Sequence, residues 1–163
     1  MSALYSFREA NLKDLSLILK WTEALMEHES LGTSLELPLS DNISELLEEW
    51  LKNLISDDNS LIIIASDSNS ELPAGLIIGY LHPQPNNFTT FLMHGIIQLV
   101  WVEEDCRKSG LGLLLVAHME DTFKNLEVPY CEIQYSESNV EARAFLLKAG
   151  YQVVNHTSRK MFD

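Results

Sequence analysis

Apolar residues follow two different spacings in the first third of the chain. Residues 1–9 alternate between apolar and polar side chains, which is typical of a strand. From Asn11, a candidate N-cap, apolar residues recur every three or four positions and predict an amphipathic helix that ends near Gly32. The same spacing over residues 41–55 predicts a second helix. The chain is therefore expected to begin with a strand followed by a pair of helices.

The rest of the chain alternates between apolar strand-like runs, polar turns and further helical patterns. The predicted elements are strands at 61–65, 74–81 and 92–102, a helix at 110–125, a strand at 130–135, a helix at 139–148 and strands at 151–154 and 159–162. The first two of these strands are close enough in sequence to pair as a hairpin. This order predicts an α/β protein of the α+β type, with about four helices on a mixed, largely antiparallel sheet of about six to seven strands.

Length and composition are typical of a globular protein with one domain, residues 1–163. No apolar run approaches the roughly 20 residues that a membrane-spanning helix needs. The first nine residues also lack the apolar block of a signal peptide. We therefore expect a cytoplasmic protein that has no membrane partner.

The net charge and the number of cysteines restrict the classes of partner that we expect. The formal net charge of −13 argues against a nucleic-acid partner, because binding to phosphate backbones needs clustered cations. The same charge is compatible with a cationic substrate such as an amine. The only cysteines, Cys106 and Cys131, are too few for a disulfide framework or a cysteine metal site, so we expect reduced thiols and no metal.

A glycine-bearing loop, Arg107-Lys108-Ser109-Gly110-Leu111-Gly112, lies between a predicted strand and a predicted helix. Such a loop directs several backbone N–H groups toward the positive end of the helix dipole, which favours an anion such as a pyrophosphate. Glycine at two of its positions lets the backbone approach a ligand closely. The segment therefore predicts an anion-binding site.

Two common nucleotide-binding motifs do not match this loop. A dinucleotide-binding motif places a third glycine three residues after the second, and that position is Leu115. A P-loop ends in Gly-Lys-Ser or Gly-Lys-Thr, whereas Gly112 is followed by Leu113 and Leu114. The anion is therefore not predicted to belong to either class of nucleotide.

The chain resembles the GNAT (GCN5-related N-acetyltransferase) superfamily in two motifs. The first is Arg-x-x-Gly-x-Gly, at positions 107, 110 and 112, preceded by a valine-containing strand. The second is Asn-x-x-Ala-x-x-Phe-x-x-Lys-x-Gly-Tyr, at positions 139–151. One helix and one strand separate them, as in the family, and the predicted order of elements matches over essentially the whole chain. This resemblance implies a GNAT-like fold.

The resemblance also implies an activity, transfer of an acetyl group from acetyl-CoA to a primary amine of a small molecule or a protein. Direct attack by the amine in a ternary complex is the implied mechanism, and a homodimer is compatible with the family. By the same resemblance, the acetyl-CoA-binding residues are Val100, Trp101, Val102, Arg107, Lys108, Ser109, Gly110, Leu111, Gly112, Leu113 and Asn139. Asn139 also has a simpler role available as a helix N-cap.

The positions that supply acid and base in the family carry unsuitable side chains here. The tyrosine that protonates the leaving thiolate is replaced by Leu146. The positions of the glutamate base in two branches of the family are Gln134 and Ile96. Neither leucine, isoleucine nor glutamine exchanges protons near neutral pH, so the resemblance leaves the acid and the base unassigned.

Two substitutes for the base follow from the alternation of side chains along strands. His94 and Gln98 share a strand face with Ile96, so both are expected to face the cleft unless a bulge interrupts the strand. Glu132 shares a face with Gln134, and His94 and Glu132 are therefore the candidate catalytic residues. Tyr80 and Tyr135 are candidate acids, although alternation directs Tyr135 away from Gln134 and favours a packing role.

Two functions and two interpretations of the acidic first helix stay open. The protein is an N-acetyltransferase or, given Leu146 and Gln134, an acyl-CoA-binding module with little turnover. The helix carries Glu23, Glu27, His28 and Glu29 near its end. These side chains either select a cationic amine or form an ordinary solvated face.

Overall fold

The structure, a computed structural model, describes residues 4–30 and 39–162, without the side chains of residues 29 and 30. Its elements are β1 (Tyr5–Glu9), a 3₁₀ turn (Leu12–Asp14), α1 (Leu15–Ser30), α2 (Ile43–Ser56), β2 (Ser60–Asp67), β3 (Pro73–Pro83), β4 (Met93–Val102), a 3₁₀ turn (Glu104–Cys106), α3 (Leu111–Asn125), β5 (Cys131–Ile133) and α4 (Val140–Lys148). Gly32, the predicted end of the first helix, lies outside the described residues.

The described strands form one five-stranded sheet in the order β1-β2-β3-β4-β5. Strands β1 to β4 are antiparallel to one another, and β5 is parallel to β4. This confirms the predicted class, helices on a mixed and largely antiparallel sheet, with fewer strands than expected.

The two predicted strands after α4 are wrong. Residues 151–162 contain no strand or helix, and Val154 and Phe162 are 73% and 85% exposed. Apolar residues stand side by side in these segments, at 153–154 and 161–162, so they do not alternate between the two faces of a strand. The neighbouring edge strand β5 has three residues, which leaves a short edge for pairing.

Helices α1 and α2 cover one face of the sheet. Ile18 and Trp21 of α1 and Leu51 of α2 pack on the even-numbered residues Ile62 and Ile64 of β2, and all five are buried. Asn11 accepts a hydrogen bond from the backbone of residue 13 and begins the 3₁₀ turn before α1, as the predicted N-cap does. This layer lies on the side of the sheet opposite to the glycine loop.

Helix α3 covers the other face. Its residues Leu115, Met119 and Phe123 are buried against Ile63 and Ile77, which alternate with the strand residues that face α1 and α2. The helix approaches the sheet closely, because a Cβ atom at Gly95 of β4 would lie 2.6 Å from the Phe123 ring. The start of α3 is also close to the sheet, because a Cβ atom at Gly75 of β3 would lie 3.4 Å from Leu111 Cδ2.

Candidate active site

A cleft opens where β5 separates from β4. The two strands pair only at Gly95–Cys131, Ile96–Glu132 and Ile97–Ile133, after which β5 ends. The space beyond has a volume of ≈ 550 Å³. It is lined by Leu25 and His28 of α1, residues 98–102 of β4, Arg107, Gly112, residues 133–136, Asn139, and Glu141, Ala142, Phe145 and Leu146 of α4.

The free edge of β4 presents backbone polar groups to this cleft. The N–H of Glu103 donates to the Ala74 carbonyl on the β3 side at 2.9 Å. Because backbone groups of successive strand residues point to opposite edges, Trp101 shares that side and Val100 and Val102 face the cleft. Of the three strand residues predicted to hold the cofactor, two therefore offer their backbones to the cleft.

The glycine loop places residues with positive φ on each side of Ser109. Lys108 has φ 61° and Gly110 has φ 88°, and Gly110 is the N-cap of α3. Turns of this kind bring successive N–H groups to one side. The Ser109 hydroxyl fixes the turn, because it donates to the Cys106 carbonyl at 2.7 Å and accepts from Tyr5 Oη at 2.9 Å.

The first turn of α3 leaves backbone donors at the cleft. Leu111 N–H donates to Ser109 Oγ at 3.3 Å, and the first helical backbone bond joins Leu114 N to Gly110 O. The N–H groups of Gly112 and Leu113 precede that bond and have no partner within the helix. Together with the helix dipole they form a site suited to an anion.

Gly112 has a packing role that the sequence did not indicate. A Cβ atom at this position would lie 3.1 Å from the Phe145 ring of α4 and 3.8 Å from Val102 Cγ2. The glycine therefore lets α4 pack against the start of α3 and form one wall of the cleft.

The Arg107 side chain turns back onto β4. Its Nε donates to the Val102 carbonyl at 3.1 Å, and its guanidinium lies 5.1 Å from the centre of the Trp101 ring. Arg107 therefore ties the loop to the strand, and the carbonyl of Val102 already has a donor. The N–H of Val102 is therefore the backbone group of this residue that remains available to a ligand at the edge of the cleft.

Asn139 stands at the cleft beside the first turn of α4. Its side chain accepts from the Ala142 N–H at 2.9 Å, which confirms its role as an N-cap. Asn139 also lines the cleft, so its cofactor-binding role stays a prediction that is compatible with its position.

His94 and Glu132 lie together at the opposite end of β4. His94 Nε2 is 4.0 Å from Glu132 Oε2, and Gln84 Nε2 is 3.2 Å from His94 Nδ1. The His94 ring stacks on Tyr130 with centroids 5.2 Å apart, and the residue is only 6% exposed. The structure brings both candidate catalytic residues together, but neither lines the cleft, so their catalytic role stays a prediction without support from placement.

Both cysteines are free thiols. Burial raises the pKa of the Cys131 thiol, which lies 3.2 Å from Tyr151 Oη. Burial likewise raises the pKa of Tyr151. Among the residues that the structure describes, no group of three or more His, Cys, Asp or Glu side chains is arranged to hold a metal ion.

A family model of the Acetyltransferase (GNAT) family matches residues 22–151, which include the cleft, the glycine loop and α4. The chain belongs to the GNAT acetyltransferase family. This confirms the resemblance found in its two motifs and makes the protein an acyltransferase. No helix within residues 4–30 and 39–162 combines the length and apolar character needed to cross a membrane.

Several solved structures share this fold across nearly the whole chain. A GCN5-related N-acetyltransferase from Ralstonia eutropha is 15% identical with a TM-score of 0.79, over 96% of this chain and 98% of that one. An acetyltransferase from Clostridium acetobutylicum with acetyl-CoA is 16% identical with a TM-score of 0.77, over 96% of each chain. An aminoglycoside 6'-N-acetyltransferase from Acinetobacter baumannii is 13% identical with a TM-score of 0.73, over 98% of each. At these identities the likeness shows the fold alone, and no curated protein sequence matches the chain.

The usual acid and base positions of this GNAT chain both lie at the cleft. Leu146 is 3% exposed and Gln134 is exposed, and both residues line it. Neither side chain exchanges protons near neutral pH. Ile96, the other position at which the family carries a glutamate base, pairs with Glu132 in the part of the sheet where β4 and β5 are paired.

Tyr135 is a cleft residue that the sequence assigned to packing. Strand β5 ends at Ile133, so the alternation that directed Tyr135 away from Gln134 does not extend to these residues. Both Gln134 and Tyr135 line the cleft as a result. The error came from extending a strand pattern past the point where pairing with β4 stops.

Gln98 reaches the cleft through a bulge in β4. Ile78 pairs with Leu99 and Gly79 pairs with Ile97, so Gln98 has no partner on β3. Tyr80 Oη donates to Gln98 Oε1 at 3.2 Å. The bulge also shifts the face that His94, Ile96 and Gln98 were expected to share.

Proposed function

We propose that this GNAT chain, residues 1–163, is an N-acetyltransferase that transfers the acetyl group of acetyl-CoA to a primary amine of a small molecule. The amine attacks directly while both substrates are bound in the cleft. The observation that carries the proposal is the separation of β4 from β5, which leaves backbone donors on β4 next to the free N–H groups at the start of α3.

The glycine loop and the edge of β4 fit the two chemical parts of acetyl-CoA. Unpaired N–H groups at Gly112 and Leu113 suit a pyrophosphate at the helix N-terminus. The cleft-facing backbones of Val100 and Val102 suit the amide-containing arm, as a strand edge pairs with a peptide. Acetyl-CoA supplies an activated acyl thioester, and we assign the Val102 N–H as the donor to its carbonyl oxygen.

Two observations support a small amine as the acceptor. The cleft lining includes the polar side chains of His28, Gln98 and Tyr135, which belong to elements other than the glycine loop. Structures with the same fold include acetyltransferases whose named acceptors are aminoglycosides, which carry amino groups. The identity of those acceptors does not extend to this chain, but a small amine is consistent with the cleft volume of ≈ 550 Å³.

A second candidate function is an acyl-CoA-binding module that has little turnover. Leu146 and Gln134 favour it, since they occupy the usual acid and base positions and cannot transfer protons. The transferase is the stronger candidate because positioning of amine and thioester contributes a large share of such rates without acid or base.

The proposal is tested by incubating the protein with acetyl-CoA and a panel of primary amines while free thiol is measured. Calorimetry with CoA is run in parallel. We expect CoA binding together with amine-dependent thiol release and an N-acetylated product identified by mass spectrometry. CoA binding without thiol release for any amine would favour the binding module, and absence of CoA binding would exclude both functions.

A further inference from the structure

The described residues that line the cleft include four ionisable side chains, His28, Arg107, Tyr135 and Glu141. Arg107 is permanently charged and is bound to the Val102 carbonyl. Histidine is the side chain that most often acts as a general base in enzymes. Of the four cleft residues, His28 is therefore the best candidate to accept a proton from an amine.

His28 reaches the cleft from the face of the sheet opposite to the glycine loop. Helix α1 packs with the cluster that contains Trp21 and Leu25, whereas the start of α3 packs with the cluster on the other face. Leu25 and His28 are one turn apart on α1 and both line the cleft. An amine that enters on the α1 side therefore meets His28 without crossing the loop assigned to CoA.

His28 also has the exposure that a base needs to return its proton to water. The residue is solvent-exposed and belongs to the described part of α1. His94, in contrast, is buried near the end of β4 that pairs with β5. Three acidic residues of α1, Glu23, Glu27 and Glu29, are nearby in sequence. Ser44 of α2 donates a hydrogen bond to Glu23.

We propose that His28 is the general base that removes a proton from the acceptor amine, a role that rests on the proposed transferase function. In the balanced step, the ammonium nitrogen gives one proton to His28 and forms a C–N bond to the acetyl carbon with the freed electron pair. The carbon–sulfur pair leaves with sulfur, which takes the second nitrogen-bound proton and becomes the free thiol. His28 then releases its proton to water.

The charged and titratable groups around His28 define what a pH profile reports. Arg107 before α3, Tyr135 after β5 and Glu141 of α4 line the same cleft, and α1 carries Glu23, Glu27 and Glu29 in its sequence. If His28 accepts the proton, kcat/KM should show an acid limb that is present in the wild type and absent from His28→Gln.

The test compares the wild type with His28→Gln, His94→Gln and His156→Gln. The last is a matched control, because His156 is exposed in the irregular C-terminal segment and does not line the cleft. We expect His28→Gln to lower kcat/KM by about 100-fold and to remove the acid limb. CoA affinity by calorimetry should not change, and His156→Gln should behave as the wild type.

A second measurement does not depend on turnover. By NMR, the Cε1–H resonance of His28 is identified as the imidazole signal that is missing from His28→Gln. This resonance should shift when the free protein forms a dead-end complex with CoA and the amine. The midpoint of its pH titration should equal the midpoint of the acid limb in kcat/KM. A wild-type profile in His28→Gln, or loss of the limb only in His94→Gln, would overturn the assignment while the transferase function stands. Absence of thiol release from the wild type with every amine would overturn that function and this assignment together.

Discussion

The two ends of strand β4 have opposite surroundings although they belong to one continuous strand. Over residues 93–97 the strand has β3 on one side and β5 or Tyr130 on the other, and His94 is enclosed by Gln84, Tyr130 and Glu132. Over residues 99–102 only β3 is paired, and the other edge opens into the cleft. We refer to these as the closed end and the open end.

The comparison shows that reactive side chains and accessible backbone are separated along this strand. The closed end holds the histidine and the glutamate that residue type alone selects as catalytic candidates. The open end offers mainly backbone donors and apolar side chains, which suit a thioester-bearing cofactor better than a proton transfer. The base proposed above therefore comes from a different element, α1, which approaches the open end from the other side.

The largest expected effect is at the open end, from Gly112→Asp. Its carboxylate would face the anion site, where repulsion between charges about 4 Å apart is on the order of 4 kcal/mol. We expect CoA affinity in calorimetry to fall by about 100-fold or more. Because the new Cβ would also lie 3.1 Å from the Phe145 ring, Gly112→Ala is the matched control for the steric part. Equal losses for both variants would show that charge at this loop is irrelevant.

The next largest effect is at the closed end, from Gly95→Ala. The added methyl would lie 2.6 Å from the Phe123 ring, so the free energy of unfolding should fall by about 1–3 kcal/mol. Urea denaturation measures this change. The folded variant should bind CoA as the wild type does, and Gly95→Ala combined with Phe123→Leu should recover part of the stability. A loss of CoA affinity without a loss of stability would contradict the separation of the two ends.

A smaller effect is expected for Arg107→Gln, which removes the bond to the Val102 carbonyl and the contact with Trp101. Each interaction is worth about 1 kcal/mol, so CoA affinity should weaken by about fivefold to 30-fold. Lys108→Gln is the control, because it removes one positive charge from the same loop. If both variants weaken binding equally and the loss disappears at high salt, Arg107 acts through its charge and not by anchoring the loop.

The smallest effect is expected far from both ends, at the ion pair between Arg8 and Asp14. Arg8 lies 2.7 Å from Asp14 Oδ1 and holds the pKa of that carboxyl below its ordinary value, with help from the backbone N–H of Asn11. Because the folded pKa is lowered, the stabilisation is present above about pH 3.9 and is lost as pH falls through the folded value. Asp14→Asn should cost less than about 1 kcal/mol at pH 7.

The check is acid denaturation, in which Asp14→Asn should show a weaker loss of stability below about pH 4 than the wild type. Its CoA affinity should equal that of the wild type. A change in CoA affinity would mean that the first turn, residues 12–14, is coupled to the open end of β4.

The sequence predicted the local features of the site well. Asn139 is the predicted N-cap of α4, and the glycine loop lies before a helix as predicted, because both features depend on residues a few positions away. The sequence did not reveal Tyr135 as a cleft residue, and it placed Gln98 and His94 together at the cleft although only Gln98 lines it. Their placement depends on where β5 stops pairing and on a bulge in β4, and each of these features is decided by contacts between strands.

By itself, the sequence determined the order of the main elements, the glycine loop between β4 and α3 and membership of the GNAT family, since these follow from spacing and motifs along the chain. Tertiary structure alone decided which end of β4 is open, that Gly112 packs closely on Phe145, and that His28 and Tyr135 line one cleft. Those facts arise from packing between segments distant in sequence, α1, β4, the end of β5 and α4. Local patterns do not predict such contacts, because strand alternation predicts the face on which a side chain lies but not the residues that pack against it.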